Sequence, residues 1–215
     1  MGTLKGDQLS AADWTTVTPN SVTIAAHQER KIRITVAMPA EANRTYYYAV
    51  VTATMTKNGE AAGTTKVLVA AHTKSGVAVA SMHPAAKLTV GHDKGSSYSL
   101  SAAFANDGEM HLKPHVTFSI SDTAGLNQLK SIDSDSEVGT VLPLSIARFS
   151  GALDASTLKP GAYAVTATCT YGDGKKVTST AAMKVTKTAA GASVEMIQTA
   201  TAAPAPAKPA GKRGG

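Results

Sequence analysis

The chain has a single cysteine in 215 residues. One thiol excludes an internal disulfide and any cysteine-rich zinc site, and it leaves the redox compartment open. Aromatic residues make up only 5% of the chain and charged residues 17%. No stretch approaches the roughly 18 apolar residues of a membrane helix, so no membrane span is expected. A basic start followed by an apolar stretch is also missing, so a secretion signal would have to lie outside this chain. The Gly-x-Ser-x-Gly elbow, the phosphate loop and the dinucleotide fingerprint are absent, and neither an enzyme nor a cofactor is expected. The formal net charge is +6, with Lys208, Lys212 and Arg213 near the end. A basic surface attracts anionic polymers. No dense basic cluster or RNA-type aromatic motif accompanies it, so no specific nucleic-acid partner follows.

What the chain does have is Ala, Thr, Ser and Val, at 43% hydrophobic residues. Thr and Val suit a pleated, half-buried surface, so the composition leans towards β structure. The length accommodates two domains of about 100 residues each. In the first segment, Trp14–Val17, Val22 with Ile24, and Arg30–Val36 carry strand signals, with Ile32, Ile34 and Val36 on one face. Tyr46–Thr56 and Thr64–Ala71 follow, around an Asn58-Gly59 turn. About five strands fit there, fewer than the roughly seven of an immunoglobulin-like sandwich. Residues 1–72 are therefore expected to form a partial domain, completed by strands lying upstream or supplied by a partner. A small five-stranded sandwich is the alternative.

Residues 73–86 read as a connector, punctuated by Ser75-Gly76 and His83-Pro84. Residues 87–187 read as a complete sandwich. Its strand signals are Lys87–Val90, Ser97–Ala105, Val116–Ile120, Leu129–Ile132, Val141–Ser150, Tyr163–Tyr171 and Lys176–Val185. On the Tyr163 strand, alternation puts Val165, Ala167, Cys169 and Tyr171 on the face of Tyr163, so Cys169 is expected inside as a small hydrophobe. Residues 188–215, rich in Ala and Pro, are expected to form a disordered tail.

Several constellations merit a test. His111 and His115 point the same way in an extended segment and are candidates for a weak metal site. Pro114 and the missing Glu argue against a zinc-protease helix. Asp133, Asp135 and Glu137 alternate as carboxylates that Ca²⁺ accepts, although the EF-hand spacing is not met. A solvated acidic loop is the alternative. Blue copper needs a His shortly after the Cys, and no His follows His115. Trp14, Tyr46, Tyr47 and Tyr48 are candidates for a ligand platform, since amphipathic rings stack on sugars or peptides. On a strand Tyr46 and Tyr48 share a face and Tyr47 takes the other.

Leu158-x-Pro160-Gly161-x-Tyr163 before an alternating strand resembles the tyrosine corner of immunoglobulin-like sandwiches, in which a Tyr hydroxyl bonds back to the backbone a few residues upstream. Trp14-x-x-Val17-x-Pro19, Val22-x-Ile24, Arg30-x-Ile32-Arg33-Ile34, Pro39 and Tyr46–Tyr48 resemble the second half of a periplasmic pilus-chaperone N-terminal domain. The same pattern occurs in WxL-interacting surface proteins. Phe104-x-Asn106-x-Gly108, His111-x-x-Pro114, Asp122-x-x-Gly125, Leu142-Pro143 and Arg148 resemble the module that follows in such proteins. The resemblance covers residues 10–187. It implies an all-β protein with two immunoglobulin-like β-sandwich domains in tandem, located outside the cytoplasm in the periplasm or at the cell surface. It further implies a non-catalytic binding or scaffold role towards an envelope or surface protein, or a wall polysaccharide. An assembly chaperone for pilus or surface subunits, acting by β-strand addition, is the alternative. The resemblance assigns no binding residue to this chain.

Overall fold

The structure is a computed structural model that describes residues 9–73, 78–125, 127–134, 139–189 and 191–197. The protein is all-β, built from antiparallel sheets. In the N-terminal module β1 (Thr15–Thr18) pairs with β2 (Arg33–Val36), and β3 (Tyr46–Lys57) pairs with β4 (Glu60–His72). Asn58 and Gly59 join the latter two with φ of 54° and 86°, the left-handed pair that a two-residue hairpin turn needs to match strand twist. The expected strand from Arg30 is shorter than its sequence pattern. Pairing begins at Arg33, and Ile32 is exposed, as are Val22 and Ile24. Those residues have no facing sheet to cover them among the described residues.

The C-terminal module packs two sheets. In one, β7 (Ser97–Asn106) lies between β10 (Ser145–Asp154) and two short strands, β5 (Met82–Pro84) and β6 (Thr89–Lys94), which share its other edge. The second sheet has five strands. Its order is β13 (Gly191–Ile197), β12 (Lys175–Thr188), β11 (Gly161–Tyr171), β8 (His115–Ser121) and β9 (Gln128–Asp133). The inner faces carry Leu100, Phe104, Phe118, Ile120, Phe149, Val165, Cys169 and Met183, all buried in one cluster. Phe104 and Phe149 meet edge to face at 6.2 Å, a favourable arrangement of ring quadrupoles. The architecture is sandwich-like, and the alternation expected on β11 holds residue for residue: Tyr163, Val165, Ala167, Cys169 and Tyr171 are buried.

Two boundaries shift. Met82–Pro84, expected in the connector, is a strand of the second module, with Met82 buried against the core. Within the connector, residues 74–77 lie outside the described residues. Gly191–Ile197, expected in the tail, is a strand antiparallel to β12. Ala192, Val194 and Met196 turn inward onto the core, a period-two stripe of mostly small residues that supplies enough burial to order the segment. Residues 198–215 lie outside the described residues.

The Leu158–Tyr163 corner forms as its residues imply. The Tyr163 hydroxyl donates to the carbonyl of Lys159 at 2.6 Å. A 3-10 turn at Ala155–Thr157 leads into it, capped by Asp154, whose carboxylate accepts from the Ser156 amide at 2.9 Å. Hydrogen bonding from Ser156, its side chain first and its amide second, holds the Asp154 carboxyl below its usual range.

Candidate functional site

Three consecutive tyrosines open β3, and strand geometry sends them to two sites. Tyr47 faces the small core of the first module, where it is buried with Ala11 and Ala49. Trp14 meets its ring edge-on at 4.8 Å. The Tyr47 hydroxyl accepts from the amides of Asn43 and Arg44 at 3.0 and 3.1 Å. This ties the ring to the chain just upstream, as Tyr163 does in the second module.

Tyr46 and Tyr48 take the opposite face, stacked at 6.2 Å. There they meet His72 at the end of β4 and His111 from the loop between β7 and β8. His72 lies edge-on to Tyr46 at 4.7 Å, and His111 is edge-on to Tyr46 at 5.5 Å and to Tyr48 at 5.8 Å. The Tyr48 hydroxyl accepts from the His111 amide at 2.9 Å and sits 3.3 Å from His111 Nδ1. Thr45 Oγ1 adds a weak bond to Glu109 at 3.5 Å. Tyr48 is 2% exposed, and burial pushes its hydroxyl up to about 12. The four aromatic residues expected as one platform are thus divided. Trp14 and Tyr47 close the core of the first module, while Tyr46 and Tyr48 form its joint with the second.

Beyond the joint the ribbon of β3 and β4 loses its cover. Ala49-Val50-Val51 lies opposite Val67-Leu68-Val69 in register. The side chains of Val50, Val67 and Leu68 are exposed, with Met55 further out at 62%. Three consecutive apolar residues on each strand put apolar groups on both faces, the pattern of strands buried on both sides. Each strand also leaves one backbone edge largely without a ladder partner among the described residues. On the β3 side only Ser10 pairs, at Tyr48. Between β2 and β4 lies a groove of about 610 Å³, lined by Val36, Met38, Pro39, Ala42, Val69 and Ala71 among others.

The metal candidates do not converge. His111 is engaged by Tyr48, whereas His115 opens β8 and reaches Asp133 Oδ1 at 3.3 Å, with both side chains more than half exposed. Asp133 ends β9, and Asp135 and Glu137 lie outside the described residues. Among the described residues no three His, Cys, Asp or Glu side chains gather as a metal would require. Cys169 is fully buried, 3.8 Å from the Met82 sulfur, and burial pushes its thiol up to about 11. That is the opposite of an activated nucleophile.

Two features escaped the sequence. Asn106 is fully buried and donates to the carbonyls of Met110 and Val141, while its Oδ1 accepts from the Gly108 amide. At Gly108 a Cβ would lie 2.3 Å from the Val79 carbonyl oxygen, so this turn clamps the end of the connector. The Asn106-Asp107-Gly108 triplet was legible as a turn, but its grip on the connector was not. His83 also pairs with Asp107 across the same corner.

No protein-family model matches the chain, and no curated protein matches its sequence.

Proposed function

We propose that the chain is a non-catalytic binding and scaffold protein of the bacterial cell envelope, acting outside the cytoplasm through the edges and loops of tandem immunoglobulin-like sandwiches. The observation that carries this reading is the ribbon of β3 and β4, with apolar side chains on both faces and open backbone edges beside a groove of mixed lining. An extended segment laid along such an edge gains main-chain hydrogen bonds, and alternate side chains can enter the groove. The tyrosine corner and the resemblance to envelope proteins support the fold family and the compartment. The basic balance of the chain suits a wall polysaccharide or an acidic surface protein as the second contact.

The exposed Val67 and Leu68 on β4 also favour a second reading, an assembly chaperone that lends a strand to a subunit with an incomplete fold. The two roles separate in one experiment. The chain is used as bait in an envelope extract, beside a variant carrying Val67→Lys and Leu68→Lys. A scaffold retains a wall polymer or a surface protein, and the variant loses it. A chaperone co-purifies with one subunit type and keeps it soluble. Equal capture by bait and variant would overturn both roles for this ribbon.

A further inference from the structure

We propose that the joint between the two modules is acid-labile, with His111 as the sensing group and Tyr48 as its partner. This goes beyond any binding role of the ribbon and rests on a reciprocal pair of hydrogen bonds. The Tyr48 oxygen already accepts from the His111 backbone amide at 2.9 Å. The hydroxyl proton therefore needs an acceptor of its own, and His111 Nδ1 lies 3.3 Å away. A neutral imidazole with its proton on Nε2 offers a lone pair there.

Protonation removes that lone pair. Both ring nitrogens then donate, so Nδ1–H and the backbone amide point at the same Tyr48 oxygen. The hydroxyl proton is left without the acceptor that the neutral joint provides. Tyr48 is 2% exposed, and an unpaired polar hydrogen in such a place is costly. It stays a neutral donor throughout, because burial holds its hydroxyl at about 12. Among the described residues no carboxylate is ion-paired with the His111 ring. The rings set against His111 are Tyr46 and Tyr48 of β3, and His72 of β4 contacts the same Tyr46 ring at 4.7 Å. Glu109, the nearby carboxylate of this loop, is engaged by Thr45 Oγ1. Docking is favoured while the His111 ring is neutral and weakens once its Nδ1 carries a proton. The modules remain linked through the chain, so acid frees their relative orientation without separating them.

The direct readout is the His111 amide in the full chain, followed by NMR hydrogen exchange between pH 7.5 and 5.0 after correction for the intrinsic rate. Its protection is expected to fall at least about tenfold, with a larger radius of gyration in X-ray scattering at the lower pH. His111→Asn keeps an acceptor for Tyr48 at every pH, so both changes should vanish. Tyr48→Phe should be open at both pH values, which keeps the proposal testable if the Asn variant misfolds. Glu109→Gln should behave as the parent. The proposal is overturned if the parent amide stays protected at pH 5.0, if His111→Asn loses protection as the parent does, or if Glu109→Gln abolishes the response.

Discussion

The two modules are written largely in Ala, Thr and Val, yet they end in different states. In the second, two sheets cover each other's inner faces, and Phe104, Phe118, Ile120 and Val165 have no exposed surface. In the first, among the described residues, two pairs of strands enclose a core cluster of Ala11, Tyr47 and Ala49, with Trp14, Val36, Met38, Ala42 and Val69 packed partly against it. The difference lies in how apolar residues are spaced. Where they alternate, as on β11, one facing sheet is enough to bury them. Where they run consecutively, as at Ala49–Val51 and Val67–Val69, two covering layers are needed. A pair of strands alone is marginal in water, and the first module leans on the joint through Tyr48.

The sharpest way to test that contrast is one truncation in each module. Phe118→Ala opens a cavity beneath a residue with no exposed surface and should cost about 3–5 kcal/mol in urea unfolding. Val67→Ala removes a side chain that is 49% exposed and should stay within about 0.5 kcal/mol. Comparable losses would mean that the ribbon is packed in solution and that the contrast is wrong.

A finer comparison sets the two tyrosine ties against each other. Tyr163→Phe removes a 2.6 Å bond to the Lys159 carbonyl inside the two-sheet module, and should lower stability by about 1 kcal/mol, read as a shift in thermal midpoint. Tyr47→Phe leaves the amides of Asn43 and Arg44 without their acceptor, but both residues are exposed. Water can replace it, so the midpoint should move less than for Tyr163→Phe.

The smallest perturbation uses Cys169 as a reporter of the closed core. Its thiol, pushed up to about 11 by burial, is essentially protonated at pH 8. Iodoacetamide labelling followed by mass spectrometry should be negligible there and complete in urea. As pH rises towards 11 the unfolded chain ionises first, so the preference of the fold for the neutral thiol turns into a loss of stability. Rapid labelling at pH 8 without denaturant would show that the second module opens as readily as the first.

Much of the second module was legible because alternation is a local signal. Tyr163–Tyr171 and the turn at Gly172–Gly174 could be placed from spacing alone, and the corner hydroxyl found its carbonyl. The strand at Gly191–Ile197 was hidden because its inward residues sit in a stretch of small residues that reads as a tail. Met82–Pro84 was hidden because three residues ending in Pro carry almost no period. Ile32 was placed inside by its alternation with Ile34 and Val36, but alternation states only that one face is apolar. It does not supply the sheet that would cover that face. The site was less legible. Two faces were foreseen for the three tyrosines, whereas the meeting of Tyr48 with His111 spans 63 positions, and no local spacing encodes it.

The hairpin of β3 and β4 has a mechanical consequence. Between Tyr48 at the joint and the turn at Asn58 and Gly59, a strand rising ~3.3 Å per residue extends about 30 Å. The ribbon is a lever with its fulcrum beside the tyrosine and histidine rings. If the joint lets it turn by about 10°, the tip sweeps roughly 5 Å over that length, more than the width of one strand-to-strand spacing. A small loss of order at the joint would therefore be felt at the tip as a sideways displacement of about one strand position.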